Sequence, residues 1–205
     1  MSEFSGNGAE SFTKITSKKY RSLTSFEPGH VSQFPKKYEE AEECLEQAHQ
    51  LASTLKDAQT EGKILNEIAK LYLTKDKTEE TIDILLKKRK LCQENKIEVD
   101  EELSLMRLGQ AYEKKGEFNN AIQIMKEGKR KAKEAGNGPC IGTLLKHLGF
   151  CLGGVKNLSN AEDYMEASLL LARGLGKRKD ELEILLRYGE IYAQSKDMER
   201  ALNLL

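Results

Sequence analysis

Neither sign of charge prevails in this chain of 205 residues, where 33 Lys and Arg stand against 33 Asp and Glu. That balance gives no support for nucleic acid or a membrane surface as the main partner. No apolar run approaches the roughly 18 residues that a spanning helix needs, and no signal-peptide core stands near the N-terminus, so cytosol or nucleus is the expected compartment. Histidine is scarce. His30, His49 and His147 lie beside no helical Glu-x-x-His and no paired carboxylates, which leaves metal and acid–base chemistry without their residues. The four cysteines lack metal-ligand spacing and are expected to be reduced. The stretch from Gly136 to Gly142 superficially suggests a phosphate loop. It follows a helical pattern instead of a strand, has Pro139 where an amide donor is wanted and lacks the Gly-Lys-Ser/Thr ending, so it reads as a turn. No catalytic, cofactor or metal site is expected, and an enzyme would need a catalytic domain outside this chain.

What the chain does have is self-similarity: shifted by 40 residues, it aligns every later element with itself without a gap. The unit is clearest from Leu103 to Lys133. Leu105, Leu108, Ala111 and Tyr112 fall on one side of a helix, Gly116 interrupts, and Ala121, Ile122, Met125 and Ala132 resume the pattern. Two helices packed face to face are therefore predicted per unit. Leu65, Leu105, Leu145 and Leu185 form one apolar column, and Ile68, Leu108, Leu148 and Tyr188 the next. Ala69, Gly109, Gly149 and Gly189 follow as a small-residue column that lets two helix backbones approach, and then come Tyr72, Tyr112, Leu152 and Tyr192. In the second helix Ala41, Thr81, Ala121, Ala161 and Ala201 stay small, whereas Leu45, Leu85, Met125, Met165 and Leu205 are large and apolar.

The same columns account for most of the cysteines. Cys44 aligns with Ile84, Ile124 and Tyr164, Cys92 with Ala52, Ala132 and Ala172, and Cys151 with Leu71, Ala111 and Ile191, so all three are expected as core fillers. Cys140 aligns with Thr60, Asp100 and Asp180 near a helix start, where an exposed thiol is expected.

Leu108, Gly109 and Tyr112, then Gly116, Phe118 and Ala121, reproduce the Leu-Gly-x-x-Tyr, break, aromatic and alanine pattern of the tetratricopeptide repeat. From about residue 36 to 205 the chain resembles that family. Its step of 40 residues instead of about 34 resembles the long-repeat members, such as Pins-type adaptors, kinesin light chains and Tonsoku-like proteins, with the extra residues lengthening the helices. The resemblance implies an all-α fold, an α-α superhelix of antiparallel helix pairs.

Along the chain, residues 1–35 are rich in Ser, Thr and Gly without an apolar period and are expected as a mostly disordered tail. A half repeat at 37–56 then caps full repeats at about 60–95, 99–135, 139–175 and 180–205, the last one truncated. Gly136 and Gly176, 40 residues apart, are placed to take positive φ after second helices. The apolar end at Ala201, Leu202 and Leu205 is expected either to continue into further repeats or to be covered by another chain.

In the family the first helices line a concave groove. Carried onto this sequence, the sixth repeat position gives Glu67, Arg107, His147 and Arg187, the fifth Asn66, Met106, Lys146 and Leu186, and the ninth Lys70, Gln110, Phe150 and Glu190. Neither the asparagine ladder of long-repeat peptide binders nor the carboxylate clamp for chaperone tails recurs. Partner binding is expected from a stripe of Arg107, Lys146, His147 and Arg187, bordered by Met106, Gln110, Phe150 and Leu186. Such a stripe suits an extended acidic segment with apolar anchors. The expected function is a non-catalytic scaffold or adaptor. The alternative is a structural subunit that self-associates through its C-terminal edge.

Overall fold

The computed structural model describes residues 35–194, and among them eight helices and no strand are found. The tail before residue 35, and Ala201 and Leu205 of the second-helix columns, lie outside the described residues. The chain divides between Asp100 and Glu101 into two compact units, each described by itself. The first holds α1 (Pro35–Thr54), α2 (Ala58–Thr74) and α3 (Thr78–Asn95). The second holds α4 (Glu101–Lys114), α5 (Phe118–Glu134), α6 (Gly138–Gly154), α7 (Leu158–Gly174) and α8 (Arg178–Gln194).

Helix stops recur with half the period of the repeat. Positive φ recurs at Lys56, Asp76, Lys96, Gly116, Gly136, Lys156 and Gly176, each 20 residues from the last, and occurs outside that series at Asp100. At Gly136 the next amide, Asn137 N–H, bonds back to Ala132 O at 2.9 Å, and Lys177 N–H does the same to Ala172 O beyond Gly176. These are left-handed C-terminal caps, satisfying carbonyls that the helix leaves open. Starts are fixed by side chains as well: Asp57 accepts from Thr60 N–H at 3.0 Å and Asn137 from Cys140 N–H at 3.2 Å. A 34-residue repeat leaves about 17 residues for each helix and its turn. Here α2, α5, α6, α7 and α8 are each 17 residues without the turn, which is where the longer step is spent.

In the first unit Tyr38, Ala41, Leu45, Ala48 and Ala52 of α1 close on Ile64, Leu65, Ile68 and Leu71 of α2. In the second, Ala121, Met125 and Ala132 of α5 pack with Leu144, Leu148 and Cys151 of α6, and Met165 and Ala172 of α7 with Ile184, Tyr188 and Tyr192 of α8. The predicted Leu column is only half followed. Leu65 and Leu105 are buried, but Leu145 and Leu185 are partly exposed, and the preceding residues Leu144 and Ile184 are fully buried in their stead. The preceding position in the copy containing Leu105 is Ser104, which cannot fill a core, so there the stripe turns by one residue. The small-residue column matches the close approach: a Cβ on Gly149 would lie 2.6 Å from Met165 Cγ and 3.3 Å from its backbone nitrogen.

One start departs from the periodicity. By the step from α6 the first helix of the second unit belongs at residue 98, yet α4 begins at Glu101. The cause lies in the second-helix column Ala48, Lys88, Gly128 and Ser168, buried in every copy. Small residues there let helices meet closely, with Ser168 Oγ donating to Gly142 O at 3.1 Å. Lys88 is long and charged, and its ammonium needs acceptors, one of which is Val99 O. The segment that brings Val99 O to this ammonium includes Asp100 at a φ of 41°, a left-handed conformation that an α-helix does not admit. Residues 97–100 accordingly stay non-helical, with Val99 buried beside Gly62, where an added Cβ would lie 3.6 Å from Val99 Cβ.

Candidate functional site

Within the second unit α4 touches α6 and α6 touches α8, so the three first helices stand side by side as one wall. Residues one repeat apart, or nearly so, thereby become neighbours, which is how this sequence builds a site from α-helices.

The four predicted cations meet different surroundings. Arg107 is 8% exposed and belongs to the interior of α4. Lys146 is also buried, and its ammonium donates to Glu183 at 2.8 Å and Asp180 at 3.1 Å, both on α8. Burial works against its charge, but the hydrogen bonds and attraction of Glu183 and Asp180 outweigh it and hold its pKa above the ordinary lysine value. His147 sits between two residues of α4: Gln110 Nε2 is 2.8 Å from its Nε2, and Glu113 Oε2 is 2.7 Å from its Nδ1. The two contacts fit the tautomer in which the amide donates to Nε2 and Nδ1–H donates to the carboxylate. Arg187 is by far the most exposed of the four, with its side chain 52% exposed. Its guanidinium lies 5.1 Å over the ring of Phe150, and its ion-pair partners Glu113 and Glu190 both stand 3.9 Å away, beyond hydrogen-bond reach.

The apolar border is also divided. Phe150 is buried and takes the His147 ring edge-on at 5.9 Å, so it serves as a floor. Met106 is half-buried, with its sulfur 3.8 Å from Cys140 Sγ. Leu186 is exposed, one residue from Arg187. The wall thus brings Gln110, His147, Phe150 and Arg187 together, with Leu186 beside them, and directs Arg107, Lys146 and Met106 into packing.

Glu113 is the residue that sequence reasoning missed. It occupies the twelfth repeat position, one of those that face the groove in the family, and it bridges His147 and Arg187 with a side chain only 12% exposed. Being 34 residues from His147 and 74 from Arg187, it falls in no 40-residue column with either.

Two of the thiols, Cys140 and Cys151, are buried and held protonated. Cys140, expected at the surface, is buried under α4. Burial, and then the negative Glu102, push its thiol up to about 11 against the pull of Arg107. Burial, followed by Glu113, raises the Cys151 thiol further. Cys151 is fully buried, as its column predicts, whereas Cys44 and Cys92 are only half-buried. Among the described residues no group of three His, Cys, Asp or Glu is placed to hold a metal ion, and no helix is long and apolar enough to cross a membrane.

Comparison with known proteins agrees with the repeat reading. Residues 104–130, which carry the Leu108-Gly109-Tyr112 signature, match the family described as tetratricopeptide repeat. No curated protein is matched by the sequence. Among solved structures, similar folds include nearly identical TPR-like repeats of Podosopora anserina assigned to a kinesin light chain, with a TM-score of 0.67 at 14% identity over 95% of this chain and 90% of that one. BtubC (BKLC) from P. vanneervenii gives 0.64 at 13% identity, over 96% and 88%. A signal transduction ATPase with numerous domains and a tetratricopeptide repeat sensor, from Pyrococcus horikoshii, gives 0.69 at 16% identity; the match covers 96% of this chain but 28% of that one.

Proposed function

On the premise that this chain carries the tetratricopeptide repeat and folds as the long, 40-residue-repeat solenoids do, we propose that it is a non-catalytic protein-binding module. The wall of first helices in the second unit receives a segment of a partner protein. Repeats of this kind mediate protein–protein interaction, and one observation carries the reading to this wall: Arg187 is held open above Phe150, next to exposed Leu186. A half-exposed guanidinium on an aromatic floor beside an aliphatic side chain supplies both the anchor types that recognition sites favour. The matching segment is extended and places a carboxylate on Arg187 and an apolar side chain on Leu186. Scaffold or adaptor is the corresponding role, in cytosol or nucleus.

Affinity capture from lysate with the wild-type chain and with R187E, read by quantitative mass spectrometry, tests this. Proteins held through the wall should fall at least about tenfold on R187E. Identical capture by both would refute the wall as the binding surface.

A second reading, self-association, draws on Leu170, Leu175, Leu182 and Leu186, four exposed leucines on the last two described helices and the turn between them.

A further inference from the structure

We infer that Glu113 is a specificity-determining residue of this wall: it occupies from within the place of a partner carboxylate and sets how acidic a segment the wall accepts. The inference rests on the proposed function and refines the chemistry of the partner.

The stripe of cations read from the sequence calls for a segment dense in carboxylates. The side chains on the wall do not. Lys146 is already matched by Asp180 and Glu183. His147 spends Nε2 on Gln110 and Nδ1 on Glu113. Around the remaining cation, Arg187, stand two carboxylates, Glu113 on the α4 side and Glu190 one turn along α8, so the cluster carries one negative charge in excess.

The two carboxylates are not equivalent. Glu190 is 61% exposed and screened by water, whereas Glu113 is 12% exposed and fixed by its bond to His147. A charge held at such burial acts on its surroundings more strongly than one in solvent. A segment with a single carboxylate can meet the outer face of Arg187, the side away from Glu113. A segment with a carboxylate at every second residue must bring the next ones against Glu113 and Glu190, and like charges set opposite each other reject a partner. The wall therefore suits a mostly apolar or neutral segment with one acid.

The test uses the full chain and two fluorescein-labelled dodecapeptides read by fluorescence anisotropy. One alternates Glu with Leu, and the other has the same sequence with every Glu but the third changed to Gln. Wild type should bind the single-acid peptide at least as tightly as the alternating one. Glu113→Gln keeps an oxygen to accept from His147 Nδ1–H while removing the charge. It should tighten the alternating peptide about tenfold and move the single-acid peptide less than about threefold. Glu113→Met, similar in size and without the hydrogen bond, should shift the ratio of the two affinities in the same direction, which a purely structural role would not do. An unchanged ratio in both variants, or a ratio that moves the other way, overturns the inference. If R187E leaves both peptides bound as in wild type, or if neither peptide binds at all, the wall itself fails and the role of Glu113 falls with it.

Discussion

Glu42 shows how one side chain ties a turn to a helix in the first unit. Its carboxylate accepts from Lys75 and, at 3.1 Å, from Lys77, both in the turn after α2. Burial pushes its pKa up, but the hydrogen bonds and charges of Lys75 and Lys77 prevail and hold it below the usual carboxylate range. A lowered folded-state pKa contributes stability that is present above the unfolded value and is lost as pH falls through the folded one. E42Q should therefore lower the unfolding free energy by about 1 kcal/mol at pH 7. The gap to wild type should close as chemical denaturation is repeated at pH values below the carboxylate range. Gly149 is the second sensitive point. An added methyl there would strike Met165 Cγ at 2.6 Å and also lie 3.3 Å from a backbone nitrogen, whereas at Gly109 it would meet side-chain atoms of Met125 alone. Overpacking of about 1–3 kcal/mol exceeds the roughly 1 kcal/mol that alanine gains in a helix, so G149A should lower the melting temperature, and by more than G109A does.

Individual residues were readable from the sequence where they recur in a column. Gly109 and Gly149, and the second-helix alanines 41, 121 and 161, stand buried where repetition put them. The cation stripe was readable as positions but not as surroundings. That Lys146 meets Asp180 and Glu183, and that Glu113 meets both His147 and Arg187, depends on how far each first helix is staggered against the next, and no column records a stagger.

At the level of the element, helix length and helix stops were legible and one helix start was not. Gly136 and Gly176 take the positive φ their position implies, at 66° and 65°. What periodicity could not reveal is that the other stops use the same conformation without glycine: Lys56, Asp76, Lys96 and Lys156 adopt it with φ between 53° and 62°. A side chain makes that region costly by about 1–2 kcal/mol, and glycine relieves it. K156G should thus raise stability by about 0.5–1 kcal/mol despite glycine's larger unfolded-state entropy, a gain to be read from the denaturation midpoint. The late start of α4 escaped because one atypical residue, Lys88, changes an element beginning thirteen residues away, at Glu101. A single lysine in a run of Ala, Gly and Ser is a small signal in sequence and a large one in a packed interior.

For the whole molecule, zero net charge and a pI of about 6.9 mean that little repulsion keeps copies apart near neutrality. With Leu182 and Leu186 exposed on α8, multi-angle light scattering at pH 7 and low salt should find an average mass that rises with concentration. The doubly substituted L182E/L186E should remain at the monomer mass across the same range; identical behaviour of the two proteins would remove the self-association reading. The fold class could be read at this scale because a repeated pattern of buried faces admits few three-dimensional solutions, and helix pairs are the one that a period of 40 divided by a central break allows.

The evenly spaced left-handed stops have a consequence for how such a chain changes over time. Within the second unit the stops at Gly116, Gly136, Lys156 and Gly176 share one backbone conformation, so a stretch of 40 residues there can be excised or copied with its flanking stops intact, and the cut ends match each other. Growth and shortening by whole cassettes then require no invention of new connections, and a recombination event that lands in register yields a foldable product on its first appearance.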